Sequence, residues 1–386
     1  MLFEPLKKCK WLIALAAVTM AATATGADFL VFFGTYSNSL SKGIYASRLD
    51  AATGKLSAPE LVAQTPSPCF LAVSPDEKFL YAANSVRNFS DADVTNAGAV
   101  SAFAIDKASG SLTFLNQKCS GGEGPCHVSV DATGKVLFIA NYGDGSVKSF
   151  SLETNGAIGA AGPRLARIGH SVNANRQASA HAHFIHADPS NRFALVCDLG
   201  TDELISFPFD VRTAELNASR FEVAGVPDGS GARHLAFSPG GKFIYVLGEM
   251  GCCISRFVLD EKGCLFPYET ISVLPPGAVL QENFTAAEIL TSKNDVYATI
   301  RGHDSISVLA ADPATGRLSF LQNISSGGKV PRGLGIDPTG RWLLVGNQGT
   351  DNVVEYAIDP QTGRLTPAGR QLKVGAPVDV KFVRMN

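Results

Sequence analysis

The polarity of the chain follows a pattern that repeats. A short apolar run ends in a turn rich in Pro, Asp and Gly, and a second apolar run follows. The copies are FLAVSPDEKFLYAAN from Phe70, HVSVDATGKVLFIAN from His127, FIHADPSNRFALVCD from Phe184, HLAFSPGGKFIYVLG from His234, EILTSKNDVYATI from Glu288 and GLGIDPTGRWLLVGN from Gly333. Apolar runs of strand length, punctuated by such turns, predict β-hairpins. A third strand is predicted behind each hairpin, as in Ser146–Glu153, Ser305–Asp312 and Asn352–Asp359. A Thr-Gly-basic-Leu turn then leads to a fourth, at Thr53–Leu56, Thr315–Leu318 and Thr362–Leu365.

Six hairpins about fifty residues apart, with four strands to each repeat, predict a β-propeller. The chain ends supply a seventh blade. Val378–Val383 reads as an inner strand with nothing after it, and Asp28–Tyr36 as a second strand with nothing before it. Pairing them closes the ring and hides both edges. No segment carries a helical period. The expected fold is all-β, a seven-bladed propeller with four-stranded antiparallel blades, spanning residues 27–386 as one domain.

This architecture turns the repeat into a site. Strand A of each blade lines the central channel and strand B returns antiparallel, so the start of A and the end of B share one face. Before the A strands come Cys69/Phe70, Cys126/His127, His183/Phe184, Arg233/His234, Ala287/Glu288, Arg332/Gly333 and Val378/Asp379. After the B strands come Asn84/Ser85, Asn141/Tyr142, Asp198/Leu199, Gly248/Glu249, Ile300/Arg301 and Asn347/Gln348. The segment holding Arg164, Arg167, Arg176 and Gln177 is a D-to-A connection on the same face. A concave rim with several arginines and histidines predicts a pocket for a small anionic molecule. Asn84, Asn141, Asp198 and Asn347 also fit as turn formers. Arg233, Glu249 and Arg301 break the repeat's own pattern, which favours a functional role for them.

Composition narrows the partners. Of 386 residues, 33 are Lys or Arg and 35 are Asp or Glu, so a net charge of −2 gives no general attraction to nucleic acid. Lys7, Lys8 and Lys10 followed by the apolar run Trp11–Ala22 predict a secretory leader over residues 1–26, with cleavage after Ala24 or Gly26. The run is short for a membrane span. The mature chain is expected to be periplasmic or secreted, monomeric and off the membrane. Its seven cysteines (Cys69, Cys119, Cys126, Cys197, Cys252, Cys253 and Cys264) have no metal-ligand spacing and read as small buried hydrophobes.

Several segments carry a resemblance. GGEGPCHVSVDATGK (Gly121–Lys135), ANYGDGSV (Ala140–Val147), HAHF (His181–Phe184), GARHLAFSPGGKFIYVLGE (Gly231–Glu249), AAEI (Ala286–Ile289), RGHDSISV (Arg301–Val308) and PRGLGIDPTGRWLLVGNQGTDNV (Pro331–Val353) resemble the seven-bladed lactonase family. That family includes bacterial 6-phosphogluconolactonase and the fungal carboxy-muconate lactonizing enzymes. The resemblance implies catalytic roles for His183, Arg233, Glu249 and Arg301. The sequence departs from the family pattern at Ala180, Gly248, Ile300 and the short turn Ser292–Asn294.

A lactone is a cyclic ester, so hydrolysis needs an activated water and stabilisation of the oxyanion. Glu249 or His183 is the expected base, and Arg233 and Arg301 the expected anion holders. Arginine suits this because its fork binds carboxylate or phosphate bidentately. His127, Asn141, Gln177, His181, His234, Glu288 and Arg332 are expected substrate contacts. The bland alternative makes Arg233–Glu249 an ion pair tying two blades together. His181 and His183 would need further ligands to hold a metal, and no metal or cofactor is expected. Adjacent Cys126 and His127 point to opposite strand faces, which argues against a thiol nucleophile. Three functions compete: a lactonase of 6-phosphogluconolactonase type acting on a sugar lactone, a muconate-type cycloisomerase, and a non-catalytic binding scaffold.

Overall fold

The structure, a computed structural model, describes residues 28–38, 40–87, 89 and 94–385. The expected leader lies outside the described residues. These residues form seven antiparallel sheets, the blades of a closed propeller. The inner strands of blades one to six are Pro68–Val73, Pro125–Val130, Ala182–Ala187, Ala232–Phe237, Thr285–Ser292 and Pro331–Ile336. The seventh blade has Pro377–Arg384 inside and Asp28–Thr35 beside it, in register from Phe29↔Arg384 to Gly34↔Asp379. The ends of the chain thus close the ring. Phe29, Phe32 and Phe33 of the closing strand are fully buried, each contributing about 2 kcal/mol of transfer free energy. In blades two, three and seven the outermost strand is broken into two pieces, so the four-strand pattern is not uniform.

The apolar core is a ring of clusters between neighbouring blades. One packs Tyr81 and Phe70 of blade one against Leu137 and Phe150 of blade two; another packs Phe29 and Phe33 of blade seven against Leu344 of blade six. Turn chemistry fixes the hairpins. The Oδ1 atoms of Asp131, Asp188 and Asp337 each accept two backbone N–H bonds at the A-to-B turn. The Thr-Gly-basic-Leu turn has a second use. Gly316 and Gly363 adopt positive φ, and their carbonyls accept the hydroxyls of Tyr245 and Tyr297 from the preceding blade at 2.9 Å. A Cβ at Gly363 would meet the Asp295 carboxylate at 2.2 Å, so glycine is required by both torsion and space.

A bulge recurs at the same end of every A–B hairpin. In blade one Pro68 faces Asn84 and Phe70 faces Ala83, which leaves Cys69 as the extra residue. The same shift singles out Cys126, His183, Arg233, Arg332 and Val378. In blade five it lies between Ala286 and Ile289. A bulge re-aims side chains and bends the strand. The residues expected just outside the strands are therefore inside their ends, within the bulge. The next residues along, Phe70, His127, Phe184 and His234, form a layer of rings across the channel, with centroids 4.1 to 5.6 Å apart.

Candidate active site

Above this ring layer lies a cavity of about 360 Å³. Its lining includes Tyr36, Tyr142, Arg176, His183, Glu249, Arg301 and Arg332. Glu249 follows the B strand of blade four, and three guanidinium groups converge on it. Arg176 Nη2 donates to Oε1 at 2.7 Å, and Arg233 Nε to Oε2 at 2.9 Å. Arg301 Nη2 lies 3.1 Å from Oε2. Burial alone would raise the Glu249 carboxyl. The fields of Arg301, Arg233 and Arg176 outweigh it and hold the group well below the usual carboxylate range.

Arg233 is beneath the cavity, only 2% exposed. It comes from the same hairpin as Glu249, so the pair spans one blade and does not tie two together. The link to blade five is Arg233 Nη1 donating to the Ala287 carbonyl, together with Arg301 itself. Burial, with Arg301 and Arg332 nearby, brings the Arg233 guanidinium down to about 10. Its charge is retained at neutral pH.

His183 lines the cavity and is otherwise buried. Burial, followed by the charge of Arg233 and by His234, lowers it well below the ordinary imidazole range, so it stands uncharged at neutral pH. Its Nδ1 has no hydrogen-bond partner among the described residues. Arg332 has no carboxylate within ion-pair distance among the described residues. It stacks over the Tyr36 ring at 5.3 Å and donates to the Tyr36 hydroxyl at 3.1 Å. Burial pushes that phenol up to about 12, against the opposing field of Arg332, so it remains protonated.

Other expected contacts lie elsewhere. Asn141 is fully buried and donates to Ser120 O on the outer strand of blade one and to Ser146 Oγ of blade two, bracing the two blades against each other. Gln177 is fully buried and bonds Leu199 O and Asn173 N. His181 stacks on Tyr142 at 4.5 Å and engages the Tyr142 carbonyl through Nδ1, so it braces the cavity wall without lining it. His127 and Glu288 open onto the opposite half of the channel, and His234 sits in the ring layer. The bulge explains this split, since it turns Cys126, His183 and Arg332 toward the upper cavity and the following residues of the first four blades into the ring layer below it. Among the described residues, no three His, Cys, Asp or Glu side chains are grouped to hold a metal ion. Cys126 does reach the cavity wall, but burial raises its thiol far above neutrality.

Tyr36 and Tyr142 were not among the expected contacts. Tyr142 stands in the column after strand B of blade two. Tyr36 stands in the same column of blade seven, whose inner strand lies at the other end of the chain.

Residues 30–382 match the family described as "Lactonase, 7-bladed beta-propeller". A 6-phosphogluconolactonase of Bacillus subtilis is 32% identical over 357 residues, which cover 92% of this chain and 98% of that protein. A 6-phosphogluconolactonase of Formosa agariphila is 29% identical over 79% of this chain and 85% of its own. Among solved structures, the periplasmic gluconolactonase of Pseudomonas aeruginosa matches with a TM-score of 0.85 at 29% identity, covering 93% of this chain and all of that one.

Proposed function

Because this chain belongs to the seven-bladed β-propeller lactonase family, we propose that it hydrolyses a sugar lactone outside the cytoplasm. The relatives named as gluconolactonase and 6-phosphogluconolactonase support the substrate class, and the periplasmic relative supports the location. One observation carries the reading: a neutral histidine and an arginine with no carboxylate partner face one cavity across an anchored glutamate.

The chemistry divides among these groups. Glu249 has both oxygens engaged by arginine, which makes it a weak base. His183 is the base. It is uncharged before reaction, and the Glu249 charge favours the imidazolium that forms when it takes a proton from water. The carbonyl oxygen gains negative charge as water adds. Arg301 and Arg332 face the cavity and stabilise that oxyanion or an anionic group on the sugar. Glu249 and the carbonyls of Thr285 and Ala286 hold Arg301 in place, and Arg233 is a positioning residue beneath them.

The test is acid release from a gluconolactone. His183→Ala is expected to lower kcat by about a hundredfold or more with a native circular dichroism spectrum. Full activity in His183→Ala would remove histidine as the base.

A further inference from the structure

Two buried imidazole nitrogens in the channel, Nδ1 of His183 and Nε2 of His234, have no hydrogen-bond partner among the described residues. Buried polar atoms are almost always paired, so two orphans on neighbouring rings call for an explanation. The rings pack edge to face with centroids 5.0 Å apart. His183 lines the upper cavity. On the far side of His234, Nδ1 lies 2.8 Å from Glu288 Oε1. Glu288 lines a second cavity of about 510 Å³ in the opposite half of the channel. A line of two imidazoles and a carboxyl therefore crosses the ring layer from one cavity to the other. His127, 5.4 Å from His234, accepts the Ile185 N–H at its own Nδ1 and stands beside this line.

We propose that His183, His234 and Glu288 form a proton relay that carries the proton released by hydrolysis out of the upper cavity and into the lower one. The proposal rests on the lactonase reading. In that reaction water adds to the carbonyl, the ring C–O bond breaks, and the leaving alkoxide takes up a proton. The carboxylic acid formed ionises at neutral pH, so each turnover leaves one proton over. It falls to the base, His183. In the resting structure the two orphan nitrogens are not bonded to each other, so the rings first turn into contact; His183 Nδ1–H then donates to His234 Nε2 while His234 Nδ1–H passes to Glu288. Glu288 gives the proton to solvent in the lower cavity, and the His183 and His234 rings, both left in the other tautomer, turn over to reset. No electrons are exchanged. The orphan pattern suits these roles: with Nδ1–H on Glu288, His234 presents a lone pair at Nε2.

Electrostatics sets the direction. The lining of the upper cavity carries Arg87, Arg176, Arg301 and Arg332 against Glu123 and Glu249, a positive balance that favours an anion and opposes the exit of a proton. Arg233, Arg332 and Lys381 also act on His234 against the charge of Glu249. Below the layer the balance reverses. Glu288 faces Asp379, which is itself paired with Lys381 at 2.8 Å. Burial raises the Glu288 carboxyl despite Lys381, Arg233 and Arg332, which brings it nearer to neutrality as a proton carrier.

The experiment compares wild type, His234→Phe and Glu288→Gln on a turned-over lactone, at rising concentrations of imidazole buffer and across pH. The phenyl ring fits a layer already built of rings, and Glu288→Gln gives the answer should His234→Phe fail to fold. With the relay cut, kcat should fall about tenfold at low buffer while KM is held, and buffer should restore it. Wild type should be indifferent to buffer. Variants with wild-type kcat, or a loss that buffer does not repair, would overturn the relay and leave the lactonase reading standing. A folded wild type that hydrolyses no lactone would overturn both.

Discussion

Arg233 Nε donates to Glu249 Oε2 at 2.9 Å across one hairpin, and neither side chain is more than 5% exposed. The bulge that re-aims Arg233 and the strand end that carries Glu249 create this pair within a single blade. Arg176 arrives from a loop and Arg301 from the next blade. Three elements of the fold thus depend on one carboxylate, and the cavity takes its shape from it.

Removing that carboxylate should be felt in stability. Glu249→Gln keeps the shape but leaves three guanidinium groups without their shared anion. Breaking a buried pair from one side costs about 3–5 kcal/mol. We expect a loss near the lower end, about 3 kcal/mol, in urea unfolding near neutral pH. An unchanged midpoint would show that the arginines do not need Glu249.

The buried histidines make stability depend on pH. His127 is held well below 6.5, by burial first and by His234 and His186 next. The unfolded chain binds a proton near 6.5 and the folded chain does not. The His127 contribution is therefore present above about 6.5 and is lost as pH falls below it. Replacing His127 by Phe removes one such group. Below pH 6.5, the dependence of unfolding free energy on pH should flatten by about 1.4 kcal/mol per unit. Parallel curves for variant and wild type would contradict this.

Blade-to-blade locking can be tested away from the site. Tyr297→Phe deletes the hydroxyl that reaches Gly363 O and should cost about 1 kcal/mol. Gly363→Ala should cost more, since a methyl there meets Asp295 in a left-handed backbone. Thermal melts check both. A Gly363→Ala variant as stable as Tyr297→Phe would show that the turn relaxes freely.

Arg332 should govern affinity for the anionic group. A charge-assisted bond contributes about 1.5–3 kcal/mol, so Arg332→Met should raise KM by about tenfold or more, with less effect on kcat. Initial rates against substrate concentration separate the two. A fall confined to kcat would instead put Arg332 on the oxyanion.

Much of this was legible because its signals are local. Asp131, Asp188 and Asp337 announce their turns by residue type. Asp28–Tyr36 and Val378–Val383 announce ring closure because each lacks a sequence partner. The columns holding His183, Arg233, Glu249 and Arg301 follow from aligning the repeats. The bulge was not legible, since register exists only between paired strands. Without it, His127 and His183 read as neighbours on one rim, whereas they open onto different cavities. Asn141 aligns with Gly248, and Tyr142 with Glu249; the pair after each B strand reads as one rim, and only register and packing show that the first position is a buried brace while the second faces the cavity. Arg176 lies on a connection outside the repeat, so its pairing with Glu249 had no counterpart to align with.

The central claim is best tested by presenting the folded protein with glucono-, galactono- and phosphorylated lactones and with muconates, and following acid release above spontaneous hydrolysis. The account predicts that one class of sugar lactone is opened, and that His183→Ala abolishes this while remaining folded. Cyclisation of a muconate, or no turnover of any lactone by folded protein, would contradict it.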